Sequence, residues 1–217
     1  MKYFKTFENF INSTSVLEDV IEDTHAIPTI QAALPFIKKL KDSTVLTRTF
    51  TGIKTGAARI STTPPKFQSI NPDIVAVYDK VMQKLGFSSL VYCSHGDSQF
   101  FKGQQYYLIP GEDFKMAWSP EVSDLLVVAN RYNKENRLGE FPYDSYTTDW
   151  PQGNVDEVLV DCEYYFLIST RIPIVEDWMR KNKMGTYKGR VFTPAKIETY
   201  DRLYEVLEQS IAPYINK

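Results

Sequence analysis

The chain has 217 residues and a net charge of −2 from 25 Lys and Arg against 27 Asp and Glu, which excludes bulk attraction to nucleic acid or an anionic membrane and leaves such binding to a local patch. With 43% hydrophobic and 24% charged residues, it has the composition of one globular domain with a sizeable core rather than of a disordered chain. No window reaches the roughly 18 consecutive apolar residues of a spanning helix, and Met1 to Glu8 lack a signal-peptide apolar core. The expectation is therefore a cytoplasmic protein with no membrane partner. Cys93 and Cys162, the only cysteines, each sit in an apolar strand-like run, which fits a reducing compartment.

Taken in order, residues 3–22 place Phe7, Phe10, Ile11, Leu17, Val20 and Ile21 at helical spacings. A second helix is expected from Pro28 to Leu40, with Pro35 as a kink or a boundary. From Ser43 the pattern changes to a β-branched alternation that ends at Gly52, and residues 57–61 form a second short strand stopped by Pro64-Pro65. Asn71-Pro72-Asp73 is a helix start, with a capping side chain, a proline at the first helical position and an acid in the first turn. Ile74, Val77, Tyr78, Val81 and Leu85 line one face of that helix, and Gly86 ends it.

Strands are then expected over residues 89–94, 104–109 and 115–118, and a capped helix from Asp124 to about Asn130. Residues 133–154 read as a long loop, a length that is uncommon unless the loop has work to do. Two buried strands follow from Glu157 and from Tyr164, broken at Asp161-Cys162. Helices are predicted over residues 175–182 and 194–211. Between them the run 180–190 carries five positive charges, either as a solvated turn or as a phosphate-binding patch.

Three polar residues stand at strand ends: Arg59 before the Pro-Pro stop, Ser94 where its strand breaks, and Glu157 where a buried strand opens. Here the chain resembles the arginine–serine–glutamate mono-ADP-ribosyltransferases of the cholera-toxin type. Arg59 to Pro65 is similar to the first family motif, Tyr92-Cys93-Ser94 with Tyr106 to Pro110 to the second motif and its next strand, and Val155 to Val160 to the third. Thr47-Arg48-Thr49-Phe50-Thr51-Gly52 resembles the Arg-Gly strand of other branches, so Arg48 competes with Arg59 for the first motif. The resemblance covers roughly residues 44–169, and each motif alone is short.

What the resemblance implies is an NAD site. Cleavage of the nicotinamide–ribose bond passes through an oxocarbenium-like species, which a fixed carboxylate such as Glu157 would stabilise. Arg59, or Arg48 with Gly52, would grip the pyrophosphate, Ser94 would hold the Glu157 carboxylate, and Tyr146 or Trp150 would stack on nicotinamide. Two positions depart from the family: Val155 stands where a Gln or Glu usually activates the acceptor, and Cys93-Ser94-His95 replaces Ser-Thr-Ser. Asp144 and Asp149 are then the candidates for acceptor activation.

The resemblance further implies a macromolecular acceptor, protein or nucleic acid, and a setting in bacteria or bacteriophages. Cys93 and His95 come from one strand, whereas a thiol–imidazole catalytic pair is normally drawn from separate elements, and no cysteine or histidine spacing suits zinc. The expected fold is α+β: a split, mostly antiparallel sheet resembling the ADP-ribosyltransferase fold over residues 43–172, preceded by helices over 1–42 and closed by helices over 173–217, in one domain. The rival from another class is a catalytically inactive protein of the same fold that binds a host protein or nucleic acid.

Overall fold

The computed structural model describes residues 26–40, 42–50, 56–62, 71–96 and 104–215. The expected helix over residues 3–22 and Gly52 lie outside these. Five α-helices and nine strands are present among the described residues: α1 (Ala26–Lys39), β1 (Leu46–Phe50), β2 (Ala57–Ser61), α2 (Pro72–Leu85), β3 (Val91–His95), β4 (Gln104–Pro110), β5 (Lys115–Trp118), α3 (Leu125–Lys134), β6 (Val155–Asp161), β7 (Tyr164–Ile168), α4 (Pro173–Lys181), β8 (Gly185–Lys188), β9 (Val191–Pro194) and α5 (Tyr200–Ile215).

The chain is α+β. Seven strands form one sheet in the order β2-β7-β4-β1-β3-β6-β5, every described ladder in it antiparallel. β8 and β9 make a separate two-stranded hairpin.

Because side chains alternate along a strand, the sheet has two chemically distinct faces. On one face, Leu46, Ile60, Cys93, Tyr106, Leu108, Met116, Val158, Val160 and Tyr165 belong to a core cluster whose buried described members all come from strands or strand turns. We call this the strand face. The other face is covered by helices in two groups. Helices α1, α4 and α5 pack with Tyr107, Ile109, Phe166 and Ile168, over the half of the sheet that includes β4 and β7. Helices α2 and α3 pack with Ala117 and Leu159, over the half that includes β5 and β6.

Local signals explain most of these elements. The Asn71 side chain accepts the Asp73 amide at 2.9 Å, Pro72 opens α2, and Gly86 closes it in the left-handed region at φ 64°. α1 is a single helix that runs through Pro35, which sits on its exposed side. Asp124 caps α3 by accepting the Val127 amide at 2.7 Å, and the helix continues to Lys134, beyond the expected end near Asn130.

The expected long loop is pinned at its far end. Thr147 and Trp118 exchange two backbone hydrogen bonds of 2.9 and 3.0 Å, and the Trp118 indole donates to the Asp149 carbonyl at 2.9 Å. Helix α5 starts at Tyr200 rather than near residue 194, because Thr199 bridges Thr44 and the Glu198 carbonyl accepts the Val45 amide at 3.0 Å, which keeps this stretch extended.

Candidate functional site

Strands β1, β3 and β6 are consecutive in the sheet, and Thr47 on β1 lies directly opposite Ser94 on β3. Between β3 and β6 the register shifts: Cys93 pairs with Val158 but His95 pairs with Val155, so two steps on β3 span three on β6. The extra residue makes a β-bulge at Asp156-Glu157, a device that re-aims side chains. Ser94 stabilises it, its hydroxyl donating to the Asp156 carbonyl at 2.8 Å. Ser94 therefore holds the bulge backbone, whereas the sequence led us to expect it on the Glu157 carboxylate.

Glu157 is 5% exposed and shares the helix face with Leu159, two residues on. One carboxyl oxygen accepts the Leu125 amide, at the start of α3, at 2.7 Å, and the other is buried without a hydrogen-bond partner. Burial drives the carboxyl pKa well above its ordinary value, the neighbouring Asp124 adds to the rise, and the Leu125 N–H offsets only part of it. Each of the two contributions that raise it, burial and the Asp124 charge, favours the protonated form of the carboxyl. Tyr78 from α2, Tyr92 from β3 and Tyr146 from the loop stand close enough that Glu157 raises their phenol pKa values further, after burial and, for Tyr78, the Tyr92 phenol beside it. The Tyr78 and Tyr92 rings stand edge-on with centres 6.4 Å apart, while the buried Tyr146 hydroxyl has no partner.

The two arginines part company. Arg59 is exposed on the edge strand β2, its guanidinium 3.8 Å from the Tyr164 ring centre, and four strand steps separate β2 from β3. At about 4.8 Å per step that is roughly 19 Å along the sheet. Arg48 sits on β1, the neighbour of β3, half-buried, with its guanidinium donating to the Tyr165 hydroxyl at 3.3 Å. Arg48 follows the strand face with Leu46 and Tyr165, whereas Glu157 lies on the helix face.

Trp150 stands edge-on to His95 and to Tyr200, each with ring centres 6.3 Å apart. Its indole N–H is buried without a partner, as is His95 Nε2, while His95 Nδ1 lies 2.6 Å from the Gly153 carbonyl. A carbonyl can only accept, so Nδ1 carries a proton and Nε2 is the acceptor of a neutral ring, consistent with burial lowering the His95 pKa against the opposing Gly153 bond. Tyr146 and Trp150 thus belong to buried polar surroundings next to β3 and β6. Asp144 is exposed and pairs with Lys84, and Asp149 is exposed beside Thr147.

Sequence reasoning missed the acid–tyrosine cluster because Tyr78 reads as one more apolar position of α2 and Asp124 as a cap alone. His95 was weighed only against Cys93, which faces the strand side and whose thiol burial holds up and inert. A cleft of about 380 Å³ opens elsewhere, between the end of α1 and the β4–β5 turn, lined by Phe36, Lys39, Glu112 and Phe114 among others, and none of the expected site residues lines it. Among the described residues no group of three His, Cys, Asp or Glu side chains could hold a metal, and no helix is long and apolar enough to cross a membrane. No protein-family model matches the chain, and no curated protein or solved structure matches it either.

Proposed function

We propose that this chain transfers ADP-ribose from NAD to a macromolecular acceptor, or hydrolyses NAD, at a site made by Arg48, Ser94 and Glu157. The observation that supports this reading is the strand order: the three residues lie on three consecutive strands, within one residue of a common cross-strand row. In it, Ser94 fixes the bulge that sets Glu157, Glu157 meets the ribose, and Arg48, on the opposite face of the sheet and one residue past the Thr47–Ser94 pair, supplies a guanidinium for the pyrophosphate. The nicotinamide ring of NAD is cationic, and a cation beside a buried carboxyl favours the ionised form that stabilises an oxocarbenium-like species. Tyr146 and Trp150, from the stretch that leads into β6, supply the aromatic face for the nicotinamide.

Glu157→Gln keeps the shape and the Leu125 contact but removes the ionisable oxygen. Nicotinamide release from NAD should fall at least a hundredfold while the thermal melt remains cooperative. Turnover within a few-fold of the parent refutes the assignment.

One observation favours the second reading, a protein of this sheet architecture that binds without catalysis. Glu157 is buried and engaged with α3, as a structural acid would be. NAD bound by the parent without nicotinamide release would select that reading.

A further inference from the structure

The basic run absorbed by neither reading becomes, in the structure, the end of α4 and the β8–β9 hairpin. Gly189-Arg190 closes the hairpin, with Gly189 at φ 64° in the first of two turn positions, the conformation tight hairpins need there. Residues 180–190 hold five cations and no acid, leaving −7 for the rest of a chain whose total is −2. Arg180 is paired with Glu176 and Asp177. Lys181, Lys183, Lys188 and Arg190 are exposed, and none of them pairs with a described acid.

Amid these cations Tyr187 is 60% exposed and Val191 67% exposed. The Tyr187 ring is not loose: it pairs across the hairpin with Phe192, ring centres 5.2 Å apart and planes at 54°, and Phe192 is buried in the core beneath the Arg180 guanidinium. An aromatic ring anchored from behind and open in front, on an exposed hairpin whose arms, turn and preceding helix end carry four cations that pair with no described acid, matches the two needs of an unpaired nucleic-acid strand: a base to stack and phosphates to neutralise. A lipid surface would ask for more than these two exposed apolar side chains.

We propose that the β8–β9 hairpin with the end of α4 is a docking surface for single-stranded nucleic acid, with Tyr187 as the stacking platform and Lys181, Lys183, Lys188 and Arg190 as phosphate contacts. The surface is independent of the NAD reading, and its test uses no NAD. Fluorescence anisotropy of labelled twelve-nucleotide oligo(dT) and oligo(U) with the full chain is measured across a salt series.

Four phosphate contacts give a slope of log K against log salt of about −3 for a single strand. Tyr187→Ala should weaken binding roughly tenfold at unchanged slope. The double variant Lys188→Ala with Arg190→Ala should bring the slope to about −1.4. Lys38→Ala, an equal loss of charge per residue on the exposed side of α1, should leave both unchanged. All these positions are exposed, and thermal melts confirm that each variant is folded. The proposal is overturned if neither oligonucleotide binds at low salt, if Lys38→Ala weakens binding as much as Tyr187→Ala, or if the hairpin variants lose binding to phosphatidylserine vesicles and none to the oligonucleotides.

Discussion

A carboxyl group with one oxygen on a helix amide and the other buried without a partner is a titration probe of its own surroundings, and Glu157 is such a group. Its folded pKa lies well above the ordinary carboxyl value, chiefly through burial and then through Asp124. The folded state therefore binds this proton more tightly than the unfolded chain does. Stability from this group is fully present below the unfolded pKa and is lost as pH rises towards the folded one, at up to about 1.4 kcal/mol per pH unit. Glutamine is neutral at every pH, so Glu157→Gln should gain on the parent as pH rises from 5 to 8, read from urea midpoints at each pH. A stability difference that does not change with pH would mean that Glu157 is ionised in the folded protein.

At the scale of elements, the Asp124 cap couples the start of α3 to that acid. Its carboxylate accepts the Val127 amide, and burial raises its pKa against the amide bonds that lower it. Asp124→Ala should cost about 1 to 2 kcal/mol, and Asp124→Asn, whose amide oxygen also caps, distinctly less, both read from denaturant midpoints. Equal losses would show that charge rather than capping is what the position supplies.

This helix and α2 were legible because their cap residues speak for themselves over three or four positions. Helix α5 was legible except at its start, where the apolar residue Ile197 keeps helical spacing while it lies outside the helix and its amide donates to the Tyr107 hydroxyl at 3.0 Å. The β8–β9 hairpin was not legible as strands. Each arm is four residues, and only Phe192 among its side chains is buried, so no alternation of apolar and polar residues marks it.

For the whole molecule, strand order is what no stretch of sequence reveals. Arg48 and Arg59 are eleven positions apart on successive strands, so from sequence either suits a first motif. In the sheet, β1 is inserted between β4 and β3, while β2 pairs only with β7 at the edge. The bulge opposite Ser94 was equally hidden, because a one-residue register shift leaves no mark in composition.

That order makes the two arginines an internal control for the proposed NAD site. Each lies against a tyrosine, Arg48 donating to the Tyr165 hydroxyl and Arg59 over the Tyr164 ring, so each replacement removes one arginine–tyrosine contact. Only Arg48 stands on the strand next to Ser94. Arg48→Ala should weaken NAD binding tenfold or more, about 1.4 kcal/mol, and Arg59→Ala by less than twofold, as measured by calorimetric titration. Arg48→Lys should recover only part of the loss, because an ammonium lacks the planar fork that grips a pyrophosphate. A greater loss in Arg59→Ala would move the nucleotide to the β2 edge, and equal, unchanged affinities in all three variants would remove NAD from the account of this protein.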